Sequence, residues 1–208
     1  MEALQESLYL DQVPKTWELR AYPSLFPLSS WFVDLINRFK DLELWTSDFQ
    51  LPYAVTLGYL FNPQSFLTAI MQTTARKNEW PLDRMCLSVD ITKRSKDELG
   101  GAPREGAYIW GLYLEGARWD MQTSQLAEAK LKEITSAMPV IFVKAIPIDR
   151  MDTKGMYECP VYKTSERRGV LSTTGHSTNF VMAVYLPSNQ PSQHWIKRGV
   201  ALLCQLDD

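Results

Sequence analysis

Apolar residues between Leu28 and Trp45 recur every three to four positions, which is the spacing of one face of an α-helix. The apolar positions are Leu28, Trp31, Phe32, Leu35, Ile36, Phe39, Leu42 and Trp45. Polar and charged residues occupy the positions between them, and Ser29 or Ser30 is the expected N-cap. This stretch is therefore predicted to be an amphipathic helix that packs its apolar stripe against another surface.

A second helix is predicted from the stretch NPQSFLTAIMQTTARK, residues 62–77. Asn62 has a side-chain oxygen suited to an N-cap, and Pro63 occupies the first turn, where its missing N–H leaves no bond unmade. Arg76 and Lys77 fall where a helix C-terminus favours cations. The apolar face comprises Phe66, Leu67, Ile70 and Met71. Residues 51–61 are apolar enough to predict a further short helix before this one.

After Trp80 the pattern changes to the alternation that is typical of half-buried strands. Strands are predicted in residues 85–93, 107–120, 138–148, 156–164, 177–187 and 200–204. Residues 124–134 favour a short helix by propensity, with a strand-connecting arm as the alternative, and a late helix is predicted near 191–198. Helices followed by antiparallel-looking strands predict an α+β fold with a helical subdomain, 1–82, and a strand-rich subdomain, 83–208.

Composition excludes several classes of function. The chain has 208 residues, 45% of them hydrophobic and 22% charged, with a formal charge of -2. These values are those of a folded protein and not of a nucleic-acid binder. Its three cysteines show no paired spacing, and the sequence contains no secretory signal and no apolar run of membrane-spanning length. A reducing cytoplasmic compartment, with no membrane partner, is therefore expected.

Candidate chemistry is sparse. Gly111 and Gly116 have the spacing of a phosphate-binding loop, but the Lys-Ser/Thr pair of such a loop is missing, so a strand bend and a turn are the better interpretation. His176 and His194 stand in no metal-ligand spacing and are expected on a loop and a helix face.

Cys86, Cys159 and Cys204 lie in apolar contexts and are expected to be buried and unreactive. Arg118 is expected to pair with Glu115 and Asp120. No catalytic, cofactor-binding or metal-binding residue is predicted.

Five ordered motifs carry a family resemblance that spans nearly the whole chain. They are FNPQSFLTAIMQTTARKNEWPLD, GLYLEGARWD, MPVIFVKAIP, YECPVYKT and HWIKRGVALL. Together they resemble the C-terminal domain of dynein heavy chains, the microtubule motors. The segments TARKNEWPLD and AIPIDRM are more similar to an axonemal heavy chain, of an outer arm, than to a cytoplasmic one.

The resemblance implies a helical N-terminal half followed by an incomplete antiparallel β-barrel, packed beneath the ring of AAA+ ATPase modules of the same heavy chain. It implies a non-catalytic regulatory module without a cofactor, because ATP and Mg²⁺ belong to the ring and microtubules bind elsewhere in the parent chain. The expected location is the axoneme of cilia and flagella. It also implies that Met1 was added as a start residue for expression or is an internal methionine of the heavy chain. The residues CQLDD are expected to end the heavy chain, and residues 165–179 are expected to form a variable linker.

Seven tryptophans without a recognisable site suggest an interface with other modules. The candidate interface residues are Trp31, Trp45, Arg118 and Trp119. Trp31 and Trp45 lie fourteen positions apart, about four helical turns, so both project from nearly the same side of one helix, either into the core or toward a neighbour. Two alternatives stay open: a small-ligand barrel in which residues 107–116 line a cavity, and a cysteine or carboxylate hydrolase.

Overall fold

The computed structural model describes residues 2–18, 20, 26–165, 167 and 179–206. By packing, the chain divides into two compact units, one ending at Pro52 and the other spanning Tyr53–Leu206. The boundary between residues 82 and 83 rests on the change from helices to strands and stays a prediction. Residues 168–178, which include His176, lie outside the described residues.

The described elements run from helices to strands, with one short strand among the helices and one late helix among the strands. In chain order they are α1 (Glu2–Leu10), α2 (Lys15–Glu18), α3 (Leu28–Asp48), β1 (Val55–Thr56), α4 (Pro63–Asn78), β2 (Met85–Ile91), β3 (Ala107–Trp110), β4 (Tyr113–Glu115), β5 (Ala117–Asp120), β6 (Gln125–Glu128), β7 (Thr135–Ala137), β8 (Ile141–Pro147), β9 (Met156–Tyr162), β10 (Phe180–Pro187), α5 (Ser192–Lys197) and β11 (Ala201–Leu203). Short 3₁₀ turns join several of them.

Helix α3 confirms the first predicted helix, but its predicted cap is wrong. The helix begins after Pro27, and neither Ser29 nor Ser30 caps it. Instead, the carboxylate of Asp11 accepts the Ser29 N–H at 3.3 Å, and the Asp11 carbonyl accepts the Leu28 N–H at 3.0 Å. A residue seventeen positions upstream of Leu28 therefore satisfies N–H groups that lack a partner within the helix.

Helix α4 confirms the second predicted helix and its start signal. The side-chain oxygen of Asn62 accepts the Ser65 N–H at 3.1 Å, and Arg76 and Lys77 lie in the last turn. The helix packs against β2 and β8 through a small core of Ala75, Met85 and Ala145, with Met71, Trp80 and Leu87 around it.

The short helix predicted in residues 51–61 is wrong in part. Val55 and Thr56 form β1, which pairs in parallel with Ile109 and Trp110, and a single 3₁₀ turn follows at Leu57–Tyr59. Val55 and Leu57 are almost fully buried. Pairing with β3 therefore buries apolar side chains that a free helical turn would leave in contact with water.

The α+β class is confirmed, whereas the predicted incomplete antiparallel barrel is confirmed only as a part rich in mixed sheets, with no closed barrel among the described residues. Their strands form a four-stranded sheet in the order β1-β3-β8-β2, a five-stranded sheet in the order β10-β9-β11-β4-β7, and the hairpin β5-β6. Most pairings are antiparallel, whereas β1 with β3 and β11 with β9 are parallel. The sheets are therefore mixed, and the last strand, β11, lies inside the larger one.

The helix predicted in residues 124–134 is wrong. The chain turns back at residues 121–124 and forms β6 against β5, so that Leu126 lies opposite Trp119 and both are buried. Asp120 holds the turn, because its carboxylate accepts the Gln122 N–H at 3.0 Å and the Thr123 hydroxyl at 2.8 Å. Hairpin packing thus outweighs the helical propensity of Ala, Leu, Lys and Glu in this stretch.

Candidate functional site

Helix α3 presents two apolar sides with opposite environments. Leu28 and Trp31 are buried, whereas Phe32, Ile36 and Phe39 are exposed, Phe39 by 63%. Phe32, Ile36 and Phe39 follow the spacing i, i+4 and i+7, so they form one continuous stripe, which we call the outer stripe. The sequence pattern already indicated a second apolar side of α3, because eight apolar positions form a wider face than one packing surface requires.

The predicted interface tryptophans lie on the inner side of α3. Trp31 is only 1% exposed, and its ring stacks on that of Trp17 with 6.0 Å between centroids. Trp45 is half-buried. On the same side, Arg38 is 8% exposed and its Nε donates to Asp34 at 2.7 Å. The outer stripe is accessible whereas Trp31 is not, and the docking role of Trp31 and Trp45 stays a prediction.

The structure places the other two predicted interface residues in hairpin β5-β6, in the second unit. Trp119 is 9% exposed, and Arg118 is half-buried with its Nε donating to the carbonyl of Glu128 at 3.1 Å. Glu115, an expected partner of Arg118, forms its ion pair with Arg167 instead. Arg118 and Trp119 therefore have a visible structural role, and their interface role is untested.

The cysteines lie in environments that suppress nucleophilic chemistry. Cys159 and Cys204 are buried, and Cys86 is half-buried. Burial raises the pKa of all three thiols, that of Cys204 to about 12. Because the thiolate is the reactive form, these groups stay protonated at neutral pH. The prediction that the thiols are buried is confirmed for Cys159 and Cys204 and in part for Cys86.

His194 lies on α5, as expected, and takes part in a charged cluster. Its Nε2 lies 2.6 Å from Glu128 Oε1, and Arg198 Nε donates to the other oxygen of Glu128 at 3.0 Å. The hydrogen bond from His194, with the charge of Arg198, lowers the pKa of Glu128. This cluster ties α5 to β6. Among the described residues there is no group of three or more His, Cys, Asp or Glu side chains that could hold a metal ion.

Gly111 and Gly116 connect successive strands and do not form a phosphate cradle. Both have positive φ values, 75° and 72°, and they lie between β3 and β4 and between β4 and β5. The bend and turn that the sequence predicts are therefore confirmed. Of residues 107–116, which line the cavity in the small-ligand alternative, Ala107, Ile109 and Leu114 are fully buried in the core. Within the described ranges, no helix has both the length and the apolar character needed to cross a membrane.

The sequence of the chain matches a known protein family over nearly its whole length. The family described as the C-terminal domain of the dynein heavy chain matches residues 1–204, and the protein belongs to this family.

Similar curated proteins are axonemal or ciliary heavy chains. The chain is 56% identical over 206 residues to "Dynein beta chain, ciliary" of Tripneustes gratilla, which covers 99% of this chain and 4% of that protein. It is 54% identical over 206 residues to "Dynein axonemal heavy chain 17" of Homo sapiens, with the same two coverages. It is 46% identical over 207 residues to "Dynein axonemal heavy chain 1" of Homo sapiens, covering 100% of this chain and 5% of that protein. The chain thus spans about a twentieth or less of the length of these relatives.

Proposed function

We propose that this chain is a non-catalytic C-terminal module of an axonemal dynein heavy chain, and that it braces the AAA+ ATPase ring of that heavy chain. Its place of action is the axoneme of cilia and flagella. Microtubules bind only through other parts of the parent chain, and ATP and Mg²⁺ bind in the ring. Identities of 46–56% to axonemal and ciliary heavy chains support the assignment to an axonemal motor. The outer-arm subclass stays a prediction.

The outer stripe of α3 is the observation that carries the bracing role. Phe32, Ile36 and Phe39 keep between 36% and 63% of their surface in water. Each square ångström of apolar surface removed from water contributes roughly 25 cal/mol, and a contiguous exposed apolar patch marks an interaction site. A standard interface buries about 800 Å² on each side and concentrates its affinity in a few anchors, often aromatic. Two phenylalanines on one helical stripe fit that description.

The test uses a heavy chain that contains this module. Phe32→Glu together with Phe39→Glu places two carboxylates on the outer stripe, and the matched control is Phe61→Glu, at an 82% exposed phenylalanine outside α3. ATPase rate, stall force and run length are measured at one ionic strength. We expect the double variant to change at least one of the three, because a brace between modules is lost, and the control to change none.

If the double variant equals the wild type in all three measurements, the bracing role is wrong. Deletion of residues 1–208 provides the upper limit of the effect. A second arm concerns chemistry: calorimetric titration of the 208-residue chain with Mg-ATP is expected to give no binding. Micromolar binding would contradict the non-catalytic assignment.

A further inference from the structure

A surface groove of about 600 Å³ lies in the second unit, between the end of α4 and strand β8. Its volume is within the range of ligand-binding clefts, roughly 300–1,000 Å³. Thr74, Lys77 and Trp80 form one wall and residues 103–105 the other. The floor is β8, with Phe142, Lys144, Ala145 and Ile146. No motif in the sequence pointed to this place.

The groove exists because β3 stops short of the end of β8. Strand β3 pairs with Ile141–Val143 only, whereas β2 pairs with the whole of β8 through Pro147. Gly106, with φ at 74°, turns the chain away from the sheet just before β3 begins. A Cβ at this position would lie 2.1 Å from the Val143 carbonyl oxygen, so only glycine permits the close crossing. Residues 103–105 therefore lie apart from β8 as a wall.

The exposed edge of β8 leaves main-chain groups available to a further strand. The Thr92 N–H donates to the Val140 carbonyl on the β2 side, and backbone groups of an antiparallel strand alternate between its two edges. The N–H and C=O of Ala145 therefore point away from β2, toward the groove. Within the described part of the chain, no strand pairs with Ala145 on that side, and no turn or loop residue bonds to its backbone. Such an edge is a template for an added strand.

The walls of the groove carry more positive than negative charge. Lys77, Arg104 and Lys144 line it as cations, and Glu105 is the carboxylate among the lining residues. Lys77 pairs with Glu105 at 2.5 Å, and Lys144 pairs with Asp90, which stands outside the groove, at 2.7 Å. All four side chains of these pairs are at least 39% exposed, so both pairs are weak and exchangeable. For Arg104, no described residue supplies an ion-pair or hydrogen-bond partner.

Two half-buried aromatic rings complete the surface. Trp80 lies in one wall and has the guanidinium of Arg150 5.5 Å from its ring centroid, and Phe142 lies in the floor. Trp80 packs on the same side of the sheet as Ala145, whereas Phe142 and Lys144 lie on the opposite side. An apolar side chain of an added strand would contact Trp80, while its acidic neighbours would face Lys144. Alternation of acidic and apolar side chains is the pattern that an extended strand presents to two sides.

We propose that this groove binds an extended acidic segment of a partner protein, which adds as a strand beside β8, places an apolar side chain against Trp80 and directs its acidic side chains toward Lys144 on the other side of the sheet. The proposal does not depend on the bracing role of the outer stripe, which concerns a different unit of the chain.

The test is a selection of random peptides of about eight residues, displayed on phage, against the 208-residue chain. We expect the enriched peptides to contain more Asp and Glu than the starting library, with an apolar residue between them. A synthetic copy of the leading peptide is then titrated by fluorescence anisotropy. Arg104→Glu with Lys144→Glu is expected to weaken its binding at least about tenfold, because attraction becomes repulsion. The matched control, Lys197→Glu on α5, is expected to leave the affinity unchanged.

The backbone contact is tested separately. Ala145→Pro removes an N–H that faces the groove and leaves the hydrogen bonds between β8 and β2 in place, and we expect a loss of roughly tenfold or more in peptide affinity. Circular dichroism melts show whether this variant is folded. If it is not, peptides that carry a single N-methyl group, moved along their length, replace it, and one position is expected to abolish binding.

Three results would overturn the proposal. The first is a selection without enrichment, or with enriched basic peptides. The second is an enriched peptide that binds the Arg104→Glu, Lys144→Glu variant as well as the wild type. The third is sedimentation analysis that shows a dimer of this chain, dissolved by the same two substitutions, because a second copy would then occupy the groove.

Discussion

The two compact units of the chain use similar side chains in opposite ways. In the second unit, Leu114, Val161 and Leu202 are fully buried where strands distant in sequence meet. In the first unit, α3 is 21 residues long, yet Phe32 and Phe39 on its outer stripe remain largely in water. Apolar content alone therefore does not separate a core from an exposed face. A buried side chain differs from an exposed one of the same type in whether other described residues of its own unit cover it.

The largest expected difference between the units is in the free energy of unfolding. Trp195 is 1% exposed, and its ring N–H donates to the Ser188 hydroxyl at 2.7 Å. We expect Trp195→Ala to cost about 3–5 kcal/mol, because it leaves a cavity and removes the hydrogen bond to Ser188. Phe39→Ala on the outer stripe is expected to stay within about 0.5 kcal/mol of the wild type. Urea unfolding of the 208-residue chain measures both, and equal losses would show that the outer stripe belongs to a core.

A second test compares positions within α4. Leu67 is 3% exposed, Phe66 is half-buried and Gln72 is exposed. Leu67→Ala is expected to cost about 2–5 kcal/mol, and Phe66→Ala less than a fully buried phenylalanine would. The control, Gln72→Ala, is expected to cost less than about 0.5 kcal/mol. A Leu67→Ala variant as stable as the control would mean that α4 does not pack on its sheet.

A smaller effect on the free energy of unfolding is expected from substitutions at the starts of α4 and α3. Asn62 caps α4 with its own side chain, so Asn62→Ala is expected to cost about 0.5–2 kcal/mol in urea unfolding. Ser30 in α3 has no such role, and Ser30→Ala is expected to change stability by less than about 0.5 kcal/mol. The reverse order of the two losses would contradict the capping assignment.

The smallest effect concerns pH and the cluster at α5. The hydrogen bond from His194, with the charge of Arg198, lowers the pKa of Glu128 below its ordinary value of 4.5. A carboxyl group with a lowered folded-state pKa contributes stability above its unfolded pKa, and this contribution is lost as pH falls through the folded-state pKa. We expect Glu128→Gln to cost less than about 1 kcal/mol at neutral pH, since the group is exposed.

The difference between wild type and Glu128→Gln is therefore expected to shrink as pH falls below the ordinary carboxyl pKa. Unfolding curves recorded between neutral and acidic pH measure this change. Added salt should reduce the neutral-pH difference as well, because exposed ion pairs are screened. A difference that grows on acidification would mean that the cluster does not stabilise the folded protein.

Local signals explain what the sequence alone predicts correctly. Asn62, Pro63 and the cations at the end of α4 act within one helix, so their spacing is visible in the sequence. The same holds for strands β8, β9 and β10, whose alternating burial follows the alternating sequence.

Non-local pairing explains what the sequence does not predict. Residues 125–128 have helical propensity but pair with β5, and the cap of α3 comes from Asp11. The carboxylate of Asp120, which accepts bonds from the next residues in the turn, is a turn signal that sequence reading could have used. The groove beside β8 had no such signal, because it depends on where β3 ends relative to β8.

The central position of β11 has a consequence for biosynthesis. Ala201–Leu203 hydrogen-bonds with β4 on one side and β9 on the other, so this sheet cannot close until Leu203 has left the ribosome. Until then, β4 and β9 each carry an exposed edge that can pair with other proteins. A nonsense mutation before Ala201 would make that state permanent. We therefore expect such a truncated product to aggregate or be degraded.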